Sequence, residues 1–217
     1  GRAIAVDAND RPIVGGTVDA NGPTFNPSDA NFAFARLTTA GALDGTFGTG
    51  GITIVSSPGT TTDDTLYDMH LDPSGRIVAV GSSDPNLTTA RDAMIVRLTS
   101  AGALDATFDG DGIEILDLTQ TGSTGVAGDD VAQALAFTPD VPAKIVIAGF
   151  APQTLAIARL TDAGALDTSF GGDGIVNFDF EAGSQNVLEH LFVQPDGKVL
   201  VTGWIPFDFS VMRLDTS

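Results

Sequence analysis

The sequence contains no cysteine, so neither a disulfide framework nor a thiolate metal site can hold this fold together. Cations are scarce: 10 Lys and Arg stand against 28 Asp and Glu, a net charge of −18. A phosphate-binding surface needs clustered cations, which rules against nucleic acid and disfavours anionic membrane surfaces. No apolar run approaches the ~18 residues that cross a bilayer, so membrane insertion is not expected. Helix signals are missing, because β-branched residues, glycines and prolines interrupt any sustained 3.6-residue period. No Gly-x-Ser-x-Gly elbow, His-Glu-x-x-His pair or cysteine nucleophile occurs. A charged-then-apolar leader is also lacking, and Gly1 sits almost directly against a strand-like run, as in a processed or excised piece.

What is present is a repeat. Arg36, Arg97, Arg159 and Arg213 recur at steps of 61, 62 and 54 residues. The first three open gap-free segments through Gly41-Ala42-Leu43-Asp44 to Phe47, Gly102-Ala103-Leu104-Asp105 to Phe108, and Gly164-Ala165-Leu166-Asp167 to Phe170. A second cation slot holds Arg11, Arg76, Lys144 and Lys198, each opening an apolar run that ends in glycine. Only Arg2 and Arg91 fall outside these two slots, so the cations belong to the repeat.

Period-two alternation bounded by turn residues divides each copy into four strands, a to d. Strand a covers Ala3–Val6, Leu66–Leu71, Val131–Phe137 and Val187–Val193, and strand b covers Pro12–Gly16, Ile77–Gly81, Ile145–Gly149 and Val199–Gly203. Strand c covers Phe32–Leu37, Ala93–Leu98, Leu155–Leu160 and Phe207–Leu214; strand d covers Ile52–Val55, Ile113–Leu118 and Ile175–Phe180. Asp72-Pro73-Ser74-Gly75 and Gln194-Pro195-Asp196-Gly197 are hairpin turns, with proline pre-setting φ and glycine taking positive φ. Asp7-Ala8-Asn9-Asp10 does the same with Asn or Asp in the left-handed position. The expected fold is all-β, a β-propeller of about four four-stranded antiparallel blades. The copies fall at 1–64, 65–129, 130–186 and 187–217, with the last stopping before its own strand d. That open edge points to a ring completed by an oligomer partner, by the N-terminal segment, or by the remainder of a longer chain.

The segments Gln194-Pro195-Asp196-Gly197-Lys198-Val199-Leu200-Val201-Thr202-Gly203, Phe209-Ser210-Val211-Met212-Arg213-Leu214 and Gly164 to Gly174 together resemble the delta-60 repeat family of bacterial proteins. The resemblance implies a propeller scaffold of unknown function at a secreted or cell-surface location. It supplies no site residue.

The repeated Arg and Asp eight residues apart read as a structural clamp, because a binding site seldom recurs identically in each copy. Phe47, Phe108 and Phe170 read as plugs between blades. Asp109 and Asp111 offer oxygen ligands to Ca²⁺ but lack the further acids of a calcium loop, so turn roles are preferred and no other cofactor is expected. The pairs Asp63-Asp64 and Asp129-Asp130 read the same way. His70 and His190 occupy strand-a slots of one parity, with His190 opposite Asp68; the three would suit a metal or acid/base cluster if strand a lined an axis. Solvated or core histidines are the plainer reading. Phe150 and the sole tryptophan, Trp204, follow the strand-b glycine in equivalent places, on b–c loops that differ greatly between copies. Such aromatics suit stacking on a saccharide or anchoring a protein partner, against a plainer role as end packing. The leading expectation is a non-catalytic extracellular binding scaffold. A secreted hydrolase or lyase acting on polysaccharide or ester substrates, and a structural surface or assembly protein, are the alternatives.

Overall fold

The computed structural model describes residues 1–19, 29–59, 62–84, 90–119, 128–151, 154–179, 187–205 and 208–215. Among these residues there are fifteen strands and no α-helix. Sheet 1 comprises β1 (Ala3–Val6), β2 (Pro12–Asp19), β3 (Ala30–Arg36) and β4 (Ile52–Val55). Sheet 2 comprises β5 (Thr65–Leu71), β6 (Ile77–Ser83), β7 (Asp92–Leu98) and β8 (Ile113–Leu116). Sheet 3 comprises β9 (Val131–Phe137), β10 (Ile145–Ala151), β11 (Thr154–Leu160) and β12 (Ile175–Asp179). Sheet 4 holds β13 (Val187–Val193), β14 (Val199–Ile205) and β15 (Asp208–Leu214). Every sheet is an antiparallel meander in chain order, and the sheets pack face to face in succession. The first strands of successive sheets lie against one another, β1 on β5, β5 on β9 and β9 on β13, which sets these strands on the inner side. That is propeller architecture, and the four sheets leave the ring open.

Register follows the repeat. Ile13 pairs with Arg36, Val78 with Arg97, Val146 with Arg159 and Leu200 with Arg213, so the second strands are in phase across all four sheets. Alternate residues face opposite neighbours. Phe32 and Phe34 of sheet 1 meet Met69, Met94 and Val96 of sheet 2 in one core. Val80, Ile95 and Phe108 of sheet 2 meet Leu135, Ile147 and Ile175 of sheet 3 in the next. Val146, Ile157 and Phe170 of sheet 3 meet Leu188, Val199 and Val201 of sheet 4 in the third. No sheet has a core of its own; each junction is the core.

One recurring irregularity shapes the inner strands. The a–b ladders slip by a residue between Leu66 and Asp68, at Ala148/Gly149, and between Leu188 and His190. Opposite the first two slips, a Cβ on Gly81 would stand 1.9 Å from the Thr65 carbonyl, and one on Gly149 1.8 Å from that of Val131. The glycine closing strand b is therefore required by the bulge beside it.

The strands run past several expected boundaries. β2 and β3 continue to an Asp19–Ala30 pair, and β10 and β11 to Ala151–Thr154, because antiparallel pairing persists beyond the alternating apolar residues. Phe150 and Trp204, expected on loops, are consequently ladder residues, paired with Leu155 and Phe209. Phe180 and residues 20–28, 85–89, 152–153 and 206–207 of the b–c connections lie outside the described residues.

Phe108 is wholly buried at the junction of sheets 2 and 3. Phe108→Ala is expected to cost about 3–5 kcal/mol of stability, read as a lowered urea midpoint, because the cavity would open between two sheets. A loss below ~1 kcal/mol would mean that the ring does not seal this junction.

Candidate functional site

In an antiparallel meander the a–b and c–d turns emerge at one end of the sheets, and the b–c and d–a connections at the other. The turn end is built by a repeated clamp. Arg36, Arg97 and Arg159 donate through Nε to Asp44, Asp105 and Asp167 at 2.9, 2.8 and 2.7 Å. Nη2 donates to the hydroxyls of Thr46, Thr107 and Ser169. Each guanidinium also covers the following phenylalanine ring, 4.9 Å from Phe47 and Phe108 and 4.7 Å from Phe170. Nη1 crosses to the next sheet, from Arg36 to the Ser100 carbonyl at 2.6 Å and from Arg97 to that of Asp162. The second cation slot converges on the same carboxylates: Arg11 on Asp44 at 3.0 Å, Arg76 on Asp105 at 3.8 Å and Lys144 on Asp167 at 2.7 Å. Hydrogen bonds from Thr46 and the charge of Arg36 hold Asp44 down at about 2, and Asp105 and Asp167 lie below the usual carboxylate range for the same kinds of reason. At Arg36 and Arg97 the constellation is saturated, each guanidinium nitrogen donating to a partner among the described residues, and it joins one sheet to the next.

The loop end differs in kind. Asp64 accepts from the Ser57 backbone and hydroxyl, and Asp130 from the Leu118 backbone and the Thr119 hydroxyl, so both staple the d–a connection to the start of strand a. Burial pushes Asp130 up to about 7, with Asp117 adding to the effect, and burial also raises Asp64 and Asp92. Arg91 reaches across to Asp63. Protonation-prone carboxylates of this kind collect where charge is unbalanced. Phe150 is half-buried against the core between sheets 3 and 4, at this same end. Trp204 holds the equivalent ladder place on β14.

The inner strands bring Asp68 and His70 together at 3.4 Å. Asp68 also accepts from the Leu135 backbone, so its side chain bridges sheets 2 and 3. The hydrogen bond to Asp68 raises His70; burial opposes ionisation of Asp68, yet His70 and the Leu135 amide hold it below its ordinary value. His190 is exposed on β13, in register with Asp68 but two sheets away. Among the described residues no group of three or more His, Asp and Glu is placed to hold a metal. Asp109 takes φ 47° in the turn after Phe108 and donates its amide to the Ala163 carbonyl, while Asp111 accepts from the Ile113 amide. Their carboxylates flank Glu114, which the sequence pattern does not single out and which burial and Asp109 push up to about 7. Its alternating place on strand d carries no signal of this contact.

Two pH effects follow. Asp68→Asn should lower the His70 pKa toward ~6.5, read from its imidazole proton shifts; an unchanged titration would show that the pair does not form in solution. The raised carboxylates Glu114 and Asp130 bind protons more tightly folded than unfolded, so their destabilising charge is relieved as pH falls from about 8 to about 5. The His70 contribution is present below its unfolded value of ~6.5 and is lost as pH rises through the higher folded value, in the same direction. The depressed Asp44, Asp105 and Asp167 stabilise the fold above ~4 and lose that contribution as pH falls further. Thermal stability is thus expected to peak between about pH 4 and about pH 6, measured at fixed ionic strength. A midpoint that climbs steadily to pH ~8 would contradict it.

Residues 73–108, 144–170 and 194–217 match the model of a β-propeller domain family, the domain of unknown function DUF5122. No curated protein matches the chain. The matched stretches each contain a hairpin or strand pair of the repeat, the first two running through the clamp to its phenylalanine. Sheet order, face-to-face junctions and this match together make the chain a β-propeller module.

Proposed function

We propose that the chain is a non-catalytic binding scaffold whose loop end receives a ligand at the bacterial cell exterior. One observation carries this reading. The two ends of the sheets are built differently, the turn end locked by identical clamps and the loop end assembled from connections that differ in every copy. A rigid scaffold with one variable end is the arrangement that recognition surfaces use. The recurring arginine spacing and the turn sequences support the finer identification as a delta-60 repeat protein, and the exterior location follows from that resemblance.

The ligand class best suited is a saccharide, because Phe150 and Trp204 recur at one ladder position at this end and flat rings stack on sugar faces. A protein ligand is the second class. A hydrolase reading draws on the Asp68–His70 contact, and turnover lost in Asp68→Asn would favour it.

The test is a glycan array probed with the whole chain. Binding is expected to weaken roughly tenfold or more in Trp204→Ala and to be unaffected by Lys198→Ala at the turn end. Binding that survives Trp204→Ala and Phe150→Ala but is lost in Lys198→Ala would overturn the loop-end reading. Absence of glycan binding, with capture of a protein that needs Trp204, would move the ligand to the second class.

A further inference from the structure

We infer that the open face of sheet 1 docks one further copy of this repeat unit, a sheet that brings its own Arg–Asp–Phe clamp. The register makes the argument. Ile4, Met69 and Leu135 are equivalent positions, paired with Val14, Ala79 and Ile147. Met69 and Leu135 are each 2% exposed, buried against the preceding sheet, whereas Ile4 is 68% exposed. Ile52 and Ile54 of β4 share the face of Ile4 and are exposed at its opposite edge, while Ile175, the sheet 3 equivalent of Ile52, is buried. A shallow apolar hollow of about 350 Å³ runs over this face past Val14, Ala33 and Ala35. Apolar sheet faces of this kind mark contact surfaces.

The turn beside that face specifies the occupant. At the junction of sheets 1 and 2, the Phe47 ring lies over Gly102, 2.8 Å from where a Cβ would stand. At the next junction Phe108 covers Gly164 in the same way, at 3.2 Å. Gly41 is the equivalent glycine of sheet 1, also at positive φ, and among the described residues no atom lies within 4 Å of its Cβ position. The carbonyls follow suit. Ser100 accepts from Arg36, Ala101 from the Gly48 amide and Gly102 from the Thr53 hydroxyl. Asp162 and Ala163 accept likewise from Arg97 and the Asp109 amide. Thr39, Ala40 and Gly41 present the same three carbonyls, and among the described residues none receives a hydrogen bond. A phenyl ring, a guanidinium, a following amide and a strand-d hydroxyl, spaced as Phe47, Arg36, Gly48 and Thr53 are in sheet 1, would engage all of these groups at once. Phe47, Phe108 and Phe170 are already buried in the three existing junctions, so none of these clamps is the occupant.

The experiment compares the chain with an extended version carrying a second copy of residues 1–64 ahead of residue 1. The extension is expected to raise the urea midpoint of the original sheets and to shield an Ile4→Cys reporter in the original sheet 1, otherwise free of cysteine, from a thiol reagent. Both gains should vanish when the added copy carries Arg36→Ala and Phe47→Ala. A second variant guards against an extension that fails to fold: Ile54→Arg in the unextended chain should leave the urea midpoint unchanged, because the face is uncovered. A large loss in that variant, an extension with no gain in midpoint, or a dimer of the unextended chain that hides Ile4 would each overturn the assignment. The dimer would make a second copy, docking through sheet 4, the occupant instead.

Discussion

The contact on which the rest of this structure depends is a buried arginine. A guanidinium removed from water costs several kcal/mol unless its donors are satisfied and its charge is opposed. Arg97 is 1% exposed, and it meets that condition with a carboxylate, a hydroxyl, a carbonyl of the next sheet and an aromatic face. Three of these partners lie within its own copy, and the fourth does not. Satisfying the charge therefore requires that the next sheet be present and in register. The clamp converts an unmet electrostatic requirement inside one repeat into adhesion between two.

This requirement also organises the charge of the chain. In sheets 1 to 3 the two cation slots converge on a single aspartate, so six of the ten Lys and Arg are engaged there at the turn end. The surplus acids are left for the rest of the surface and for the loop end. There they are only partly neutralised, and burial lifts Asp130 and its neighbours toward protonation. The turn end and the loop end thus differ because most of the cations are gathered at the turns. Loop variation between copies can proceed without touching a single clamp residue.

Much of this is legible in the sequence, and the reason is periodicity. A residue that must satisfy the same junction in every copy recurs at fixed spacing, so spacing alone pairs Arg36, Arg97 and Arg159 with Asp44, Asp105 and Asp167. Turn chemistry is legible on local grounds, as Gly75 and Gly197 at positive φ and Asp10 at φ 58° attest. What the sequence conceals is not periodic or not local. The strand-a bulge needs Gly81 only because the Thr65 carbonyl approaches it, a contact across two strands. Asp68 and His70 can be placed on one strand face, but the hydrogen bond from the Leu135 amide depends on how two sheets pack. Phe150 reads as a loop residue because pattern ends where alternation ends, whereas ladder pairing continues to Ala151.

The junctions also bear on why one sheet cannot stand alone. Each interior sheet divides its side chains between two cores, so removing a neighbour exposes half of its apolar residues and leaves one clamp without its carbonyl. Stability is then a property of adjacency, and it accumulates along the stack. An end sheet holds only one junction, and sheet 1 accordingly leaves Ile4, Val6 and Ile54 in water while Met69 and Leu135 are sealed. The clamp itself is the same at the first junction and the second: the same arginine, the same glycine under a phenyl ring, the same two carbonyls accepting from the guanidinium and the following amide. A rule that repeats without variation has no internal stop, so the extent of such a stack is set by closure of the ring rather than by the contacts between neighbours.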